Sequence, residues 1–109
     1  MSENQGPYRV IEQWLDTLGQ EGKSDHTVAA YRRAVRHFVA WSAMLYGQDF
    51  DPTTIISRDV RDWKAHQQTV ERAAPATINQ RLVALSRFFA WAVRHGLAQE
   101  NPTDRKSVV

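Results

Sequence analysis

The sequence predicts an all-α protein of four or five helices. Apolar residues recur at three- and four-residue spacing in four separate stretches, capping or stop residues bound these stretches, and no run alternates apolar and polar as a strand would. A chain of 109 residues suits one domain built on one core.

The elements follow in order. Residues 1–7, MSENQGP, are polar and rich in turn formers and read as a flexible N-terminal arm. Val10, Ile11, Trp14, Leu15 and Leu18 then fall on one face of a first helix that ends near residues 19–22. Ser24 or Asp25 can cap a second helix, along which Tyr31, Val35, Phe38, Ser42 and Leu45 form a stripe, and Gly47 stops it. QDFDPTTII is a loop with a turn at Asp51-Pro52 and two expected core anchors, Ile55 and Ile56. Ser57 and Asp59 open a third helix that turns Val60, Trp63 and Gln67 inward. Pro75 ends the connection, and a fourth helix runs over residues 77–95, with Gly96 at its C-terminal side. Residues 8–100 thus form the expected domain. Asn101-Pro102 closes it, and residues 101–109 begin a linker in which Val108-Val109 is expected to lead into a further domain.

Composition narrows the function. Hydrophobic content of 42% and four tryptophans support a folded core, and the absence of cysteine excludes disulfides, thiolate zinc sites and a cysteine nucleophile. No apolar run approaches the ~18 residues of a membrane span, and the first twenty residues lack a signal-peptide pattern, so the expectation is a soluble, cytoplasmic protein with no membrane partner. There is no GxSxG elbow, no HExxH and no glycine-rich phosphate loop, and the histidines are dispersed at 26, 37, 66 and 95. We therefore expect no catalytic residue, no metal, no cofactor and no small-molecule substrate. A net charge of +2 with an isoelectric point near 9.3 permits nucleic-acid binding without requiring it.

What remains is the polar faces of two helices, laid out at 100° per residue. With Tyr31 as the core direction of the second helix, Ala29, Arg33, Arg36 and Ala40 oppose it, with His26 and His37 close by and Arg32 on a flank. With Leu82 as the core direction of the fourth, Ile78, Leu85, Phe89 and Val93 join it, while Thr77, Gln80, Ala84, Arg87 and Trp91 oppose it and Arg94 flanks. Arginines on a helix surface are by default solvated. Two strips that each combine arginines, small residues and a threonine near the helix start also suit a phosphate backbone, and both readings stand at this point.

The residues that carry a resemblance are SDHTVAAYRRAVRHFVAW, ISRDVRDWKAHQ and ATINQRLVALSRFFAWAVRHGLAQENP. Their most specific portions are Thr77-Ile78-Asn79, Arg81-Leu82, Ala84-Leu85, Arg87-Phe88-Phe89, Trp91 and Asn101-Pro102, followed by the Ser24, Thr27, Tyr31 spacing. Over residues 8–102 the chain resembles the N-terminal core-binding domain of tyrosine recombinases, the phage integrase and Xer-like family. The resemblance implies a four- to five-helix SAM-like orthogonal bundle that forms one jaw around double-stranded DNA, with two helices near the major groove. It implies that Thr27 and Thr77 meet phosphates and that Ala30 and Gln80 fall where related members reach base edges. Gln80 suits adenine, whereas Arg33, Arg36, Arg87 and Arg94 would chiefly neutralise phosphate. Ala84 completes the fourth-helix surface, and Arg81, at the boundary of the apolar face, either joins it or pairs within the protein. The tyrosine nucleophile and its partners belong, in this family, to a C-terminal domain, so the chain is expected to bind DNA without cleaving it, beside sibling recombinase subunits. The rival expectation is a helical protein-interaction module whose basic faces dock an acidic partner or a sibling subunit.

Overall fold

The computed structural model describes residues 8–47 and 50–104. The expected arm, Gln48 and Asp49 of the loop, and the linker from residue 105 onward, including Val108-Val109, lie outside the described residues. Four α-helices and no strand occur among the described residues: α1 over Arg9–Gln20, α2 over Asp25–Tyr46, α3 over Ser57–Thr69 and α4 over Pro75–Arg94, with a short 3₁₀ turn at Pro52–Thr54. They fall into two compact units, one ending at Asp51 and one beginning at Pro52.

In the first unit α1 packs on α2. Ile11, Trp14, Leu15 and Leu18 are buried on α1, as their spacing requires, and Ala34, Val35, Phe38, Val39 and Trp41 on α2. The rings of Trp14 and Tyr31 stack at 5.8 Å between the two helices. Gly22, at φ +93°, closes α1: its N–H reaches the Gly19 carbonyl and the Lys23 N–H that of Leu18, the paired bonds of a Schellman motif. Ser24 is the N-cap of α2, its Oγ accepting from the Thr27 N–H at 3.1 Å. Gly47, at φ +64°, ends that helix.

In the second unit α3 packs on α4. Val60, Trp63 and Gln67 are buried as expected, and so are Ile78, Leu85 and Phe89. Ile56, not Ser57, occupies the N-cap of α3, and the buried Asp59 carboxylate accepts from its N–H at 2.9 Å. Helix α4 begins two residues earlier than expected because Pro75, with its fixed φ and no N–H, is placed at the first helical position rather than before the helix. Gly96, at φ +73°, closes α4 with the same paired bonds seen at α1, from Gly96 N–H to Val93 and Leu97 N–H to Ala92. Asn101 then ties the following turn to the helix. Its Nδ2 donates to the Ser86 carbonyl at 3.0 Å, and its Oδ1 accepts from Thr103 N–H and Oγ1, which leaves Pro102 buried.

Several packing expectations are corrected. Leu45 is 58% exposed and Ile56 57%, because the first lies in the last turn of α2 and the second at a helix cap, where the chain turns away from the core. On α4 the buried arc is centred near Leu85, Phe88 and Ala92 rather than on Leu82. Ala84 and Trp91 are therefore buried, whereas Val93 is 37% exposed. The bulk of Phe88 and Trp91, in ring contact at 6.1 Å, turns that arc away from the leucine stripe.

Candidate nucleic-acid interface

On α2 the three arginines have different surroundings. Arg32 makes a bidentate pair with Glu12 of α1, Nε to Oε2 and Nη2 to Oε1, each at 3.0 Å. Arg36 donates to the same carboxylate at 3.0 Å and lies 4.4 Å from the centre of the Tyr8 ring, a cation–π contact. The hydrogen bond from Arg32, reinforced by the charges of both arginines, holds the Glu12 carboxyl below its ordinary value, and Glu12 in turn holds Arg32 above its own. Arg33, one residue on from Arg32, is exposed and makes no ion pair or hydrogen bond among the described residues. Thr27 and Ala30 are half-buried near the start of the helix, where the Thr27 hydroxyl accepts from Ser24 Oγ at 3.0 Å.

On α4 the sequence PATINQRLVALSRFFAWAVR carries three arginines and no aspartate or glutamate. Gln80, Arg87 and Arg94 recur every seven residues and are all exposed. At 1.5 Å per residue that spacing sets them in one row, about 10.5 Å from each to the next. Arg87 and Arg94 make no ion pair among the described residues. The N-terminus of α4 has no side-chain cap: Ala74 supplies only its carbonyl, to Ile78 N–H, so the N–H groups of Ala76 and Thr77 point along the axis toward the positive end of the helix dipole. Thr77 is half-buried there.

Two of the residues assigned to this face from sequence do not lie on it. Ala84 is fully buried. Arg81 turns inward, where Nη1 donates to Gln67 Oε1 at 3.0 Å and to Glu71 Oε1 at 3.3 Å, so its pairing within the protein is the alternative that holds. The exposed face instead gains Asn79 and Val83. Sequence reasoning also missed Glu12, the residue that separates Arg32 and Arg36 from Arg33. Centring the α4 wheel on its aromatic residues would have found Asn79 and Val83, whereas nothing local marks Glu12, which lies 20 and 24 residues from its partners.

Beside this face, Ser57, Val60, Arg61 and Lys64 of α3 and Asn79, Leu82, Val83 and Ser86 of α4, with Pro102, Thr103 and Asp104, line a groove of about 680 Å³. No group of three or more histidine or acidic side chains placed to hold a metal occurs among the described residues, and no helix among them is long and apolar enough to cross a membrane.

Residues 11–96 match the family model described as phage integrase, N-terminal SAM-like domain. Among curated proteins the chain is 33% identical over 96 residues to the tyrosine recombinase XerC of Neisseria gonorrhoeae, covering 85% of this chain and 31% of the relative. It is 32% identical over 95 residues to the tyrosine recombinase XerD of Ralstonia nicotianae, covering 86% and 29%, and 22% identical over 91 residues to the TnP I resolvase of Bacillus thuringiensis, covering 84% and 31%. The chain thus spans about three tenths of the length of these relatives. No solved structure matches it.

Proposed function

The chain belongs to the phage integrase N-terminal SAM-like domain family, and from that premise we propose that it is the DNA-binding part of a cytoplasmic site-specific tyrosine recombinase. It engages the duplex of a recombination site through one exposed face in each unit. The carrying observation is the Gln80, Arg87, Arg94 row on a helix that holds no acidic residue. Arg87 and Arg94, with Arg33 on α2, offer guanidiniums to phosphates, Thr27 and Thr77 offer hydroxyls at helix starts, and Gln80 offers a paired donor and acceptor to a base edge. Ala30, small and half-buried, lets the α2 backbone approach. Strand cleavage is left to the portion of the relatives, about two thirds of their length, that this chain does not match.

Fluorescence anisotropy of a labelled duplex, titrated with the chain at low salt, tests the reading. Dissociation constants near 10⁻⁴ to 10⁻⁶ M, the order expected of largely backbone binding, support it. Arg33→Glu/Arg87→Glu should abolish the signal, and unchanged binding by that variant contradicts the placement of the surface.

A second reading has its own observation. Met44, Leu45 and Tyr46 are 85%, 58% and 54% exposed at the end of α2, an apolar end suited to a protein contact. A sibling recombinase subunit is the partner that fits the first reading. Self-association in sedimentation without DNA, lost in Met44→Glu, supports a contact at that end.

A further inference from the structure

The arginines of α2 differ in what they can offer a phosphate. Glu12 grips Arg32 through two hydrogen bonds and Arg36 through one, all at 3.0 Å, and the Tyr8 ring covers the Arg36 guanidinium. Asp16 adds its charge on the Arg32 side. Neither arginine is buried, however: their side chains are 41% and 44% exposed, within reach of a polyanion that could displace the carboxylate. The second unit repeats the arrangement, with Glu71 holding Arg81 while Arg87 and Arg94 stay exposed.

We propose that Glu12 is a specificity-determining residue that withholds Arg32 and Arg36 from DNA and so limits sequence-independent binding. The inference rests on the DNA-binding reading above. A phosphate approaching α2 meets one available guanidinium, Arg33, and must compete with a bidentate carboxylate for the other two. Binding that depends on phosphate alone scales with the number of neutralised charges, whereas a base contact from Gln80 on α4 does not involve Glu12. Holding back two arginines therefore lowers the background that every sequence shares and leaves base readout untouched. Glu12 also links α1 to α2, so the test must read something that a purely structural role would not change.

That readout is the slope of log affinity against log salt for a duplex of arbitrary sequence, at about −0.9 per neutralised phosphate. Arg33, Arg87 and Arg94 give the wild-type chain a slope of about −2.7. Glu12→Gln, which keeps the size of the side chain and removes its charge, should steepen the slope to about −4.5. The triple variant Glu12→Gln/Arg32→Gln/Arg36→Gln should return it to about −2.7. In the wild-type background Arg32→Gln/Arg36→Gln should leave the slope unchanged, whereas Arg33→Gln should make it shallower by about 0.9. The Arg32/Arg36 pair of substitutions decides the matter if Glu12→Gln fails to fold: a slope shallower by about 1.8 would show that these arginines already contact DNA and would overturn the inference. A wild-type chain that binds with the same slope as Glu12→Gln overturns it alone, and a wild-type chain that does not bind at low salt overturns it together with the reading beneath it.

Discussion

Protonating Glu12 removes the charge that holds Arg32 and Arg36 in place. Because its carboxyl is held below the ordinary value of 4.5, first by the hydrogen bond from Arg32, the folded state binds this proton less tightly than the unfolded chain. The pair's stabilisation is therefore fully present above about pH 4.5 and is lost as pH falls from there through the lowered folded value. The arginines are about two-fifths exposed, so the contribution is modest, no more than about 1 kcal/mol. Urea melts of wild type and Glu12→Gln should differ by that amount at pH 7 and converge in acid; a gap that persists well below the carboxylate range would assign the effect to packing. None of this was legible in the sequence. YRRAVRH sets Arg33 and Arg36 on one strip with Arg32 on its flank, and only the packing of α1 on α2 brings Glu12 to Arg32 and Arg36. Arg81 is a partial exception: its place at the edge of the apolar face left an internal partner open, and Gln67 and Glu71 supply it.

At the scale of elements, helix ends were readable because they depend on local chemistry. Ser24, Gly47 and Gly96 cap or stop the helices they were expected to. Gly96 holds φ +73° with nothing within 4 Å of where a Cβ would stand, so Gly96→Ala should cost about 1 kcal/mol through backbone conformation alone, measurable as a shift in the urea midpoint. The connection from α3 to α4 also passes through a left-handed residue, here without a glycine and with a different bond pattern. Arg72 sits at φ +53° while Ala73 N–H reaches the Gln67 carbonyl at 2.9 Å, a left-handed position that no sequence signal announced. Arg72→Gly should therefore lack the penalty of Gly96→Ala and match or exceed wild-type stability. Asn101→Ala should destabilise by about 1–2 kcal/mol, since it removes the bonds that hold the Pro102 turn to Ser86 and Thr103. Asn101-Pro102 was expected to close the domain, but its grip on Ser86 required the fold. Helix faces were less readable than helix ends. A wheel centred on the leucines placed Ala84 on the surface, because hydropathic spacing within one helix does not say which side two bulky aromatics, Phe88 and Trp91, will occupy.

For the whole molecule, the charge that matters is the part left over after internal pairing. A net charge of +2 says little by itself. In each unit a carboxylate ties up arginine, Glu12 in one and Glu71 in the other, and leaves Arg33 or the Arg87, Arg94 pair exposed. The family resemblance pointed to the same two helices, and residues 11–96 match its model; the structure shows Arg36 and Arg81 paired within the protein, to Glu12 and to Gln67 and Glu71. The salt dependence of duplex binding reads the remaining arginines most directly. With three arginines neutralising phosphates, log affinity should fall with log salt at a slope of about −2.7, and Arg33→Glu/Arg87→Glu should abolish binding. Salt-independent binding, or a slope that survives the double substitution, would contradict the account.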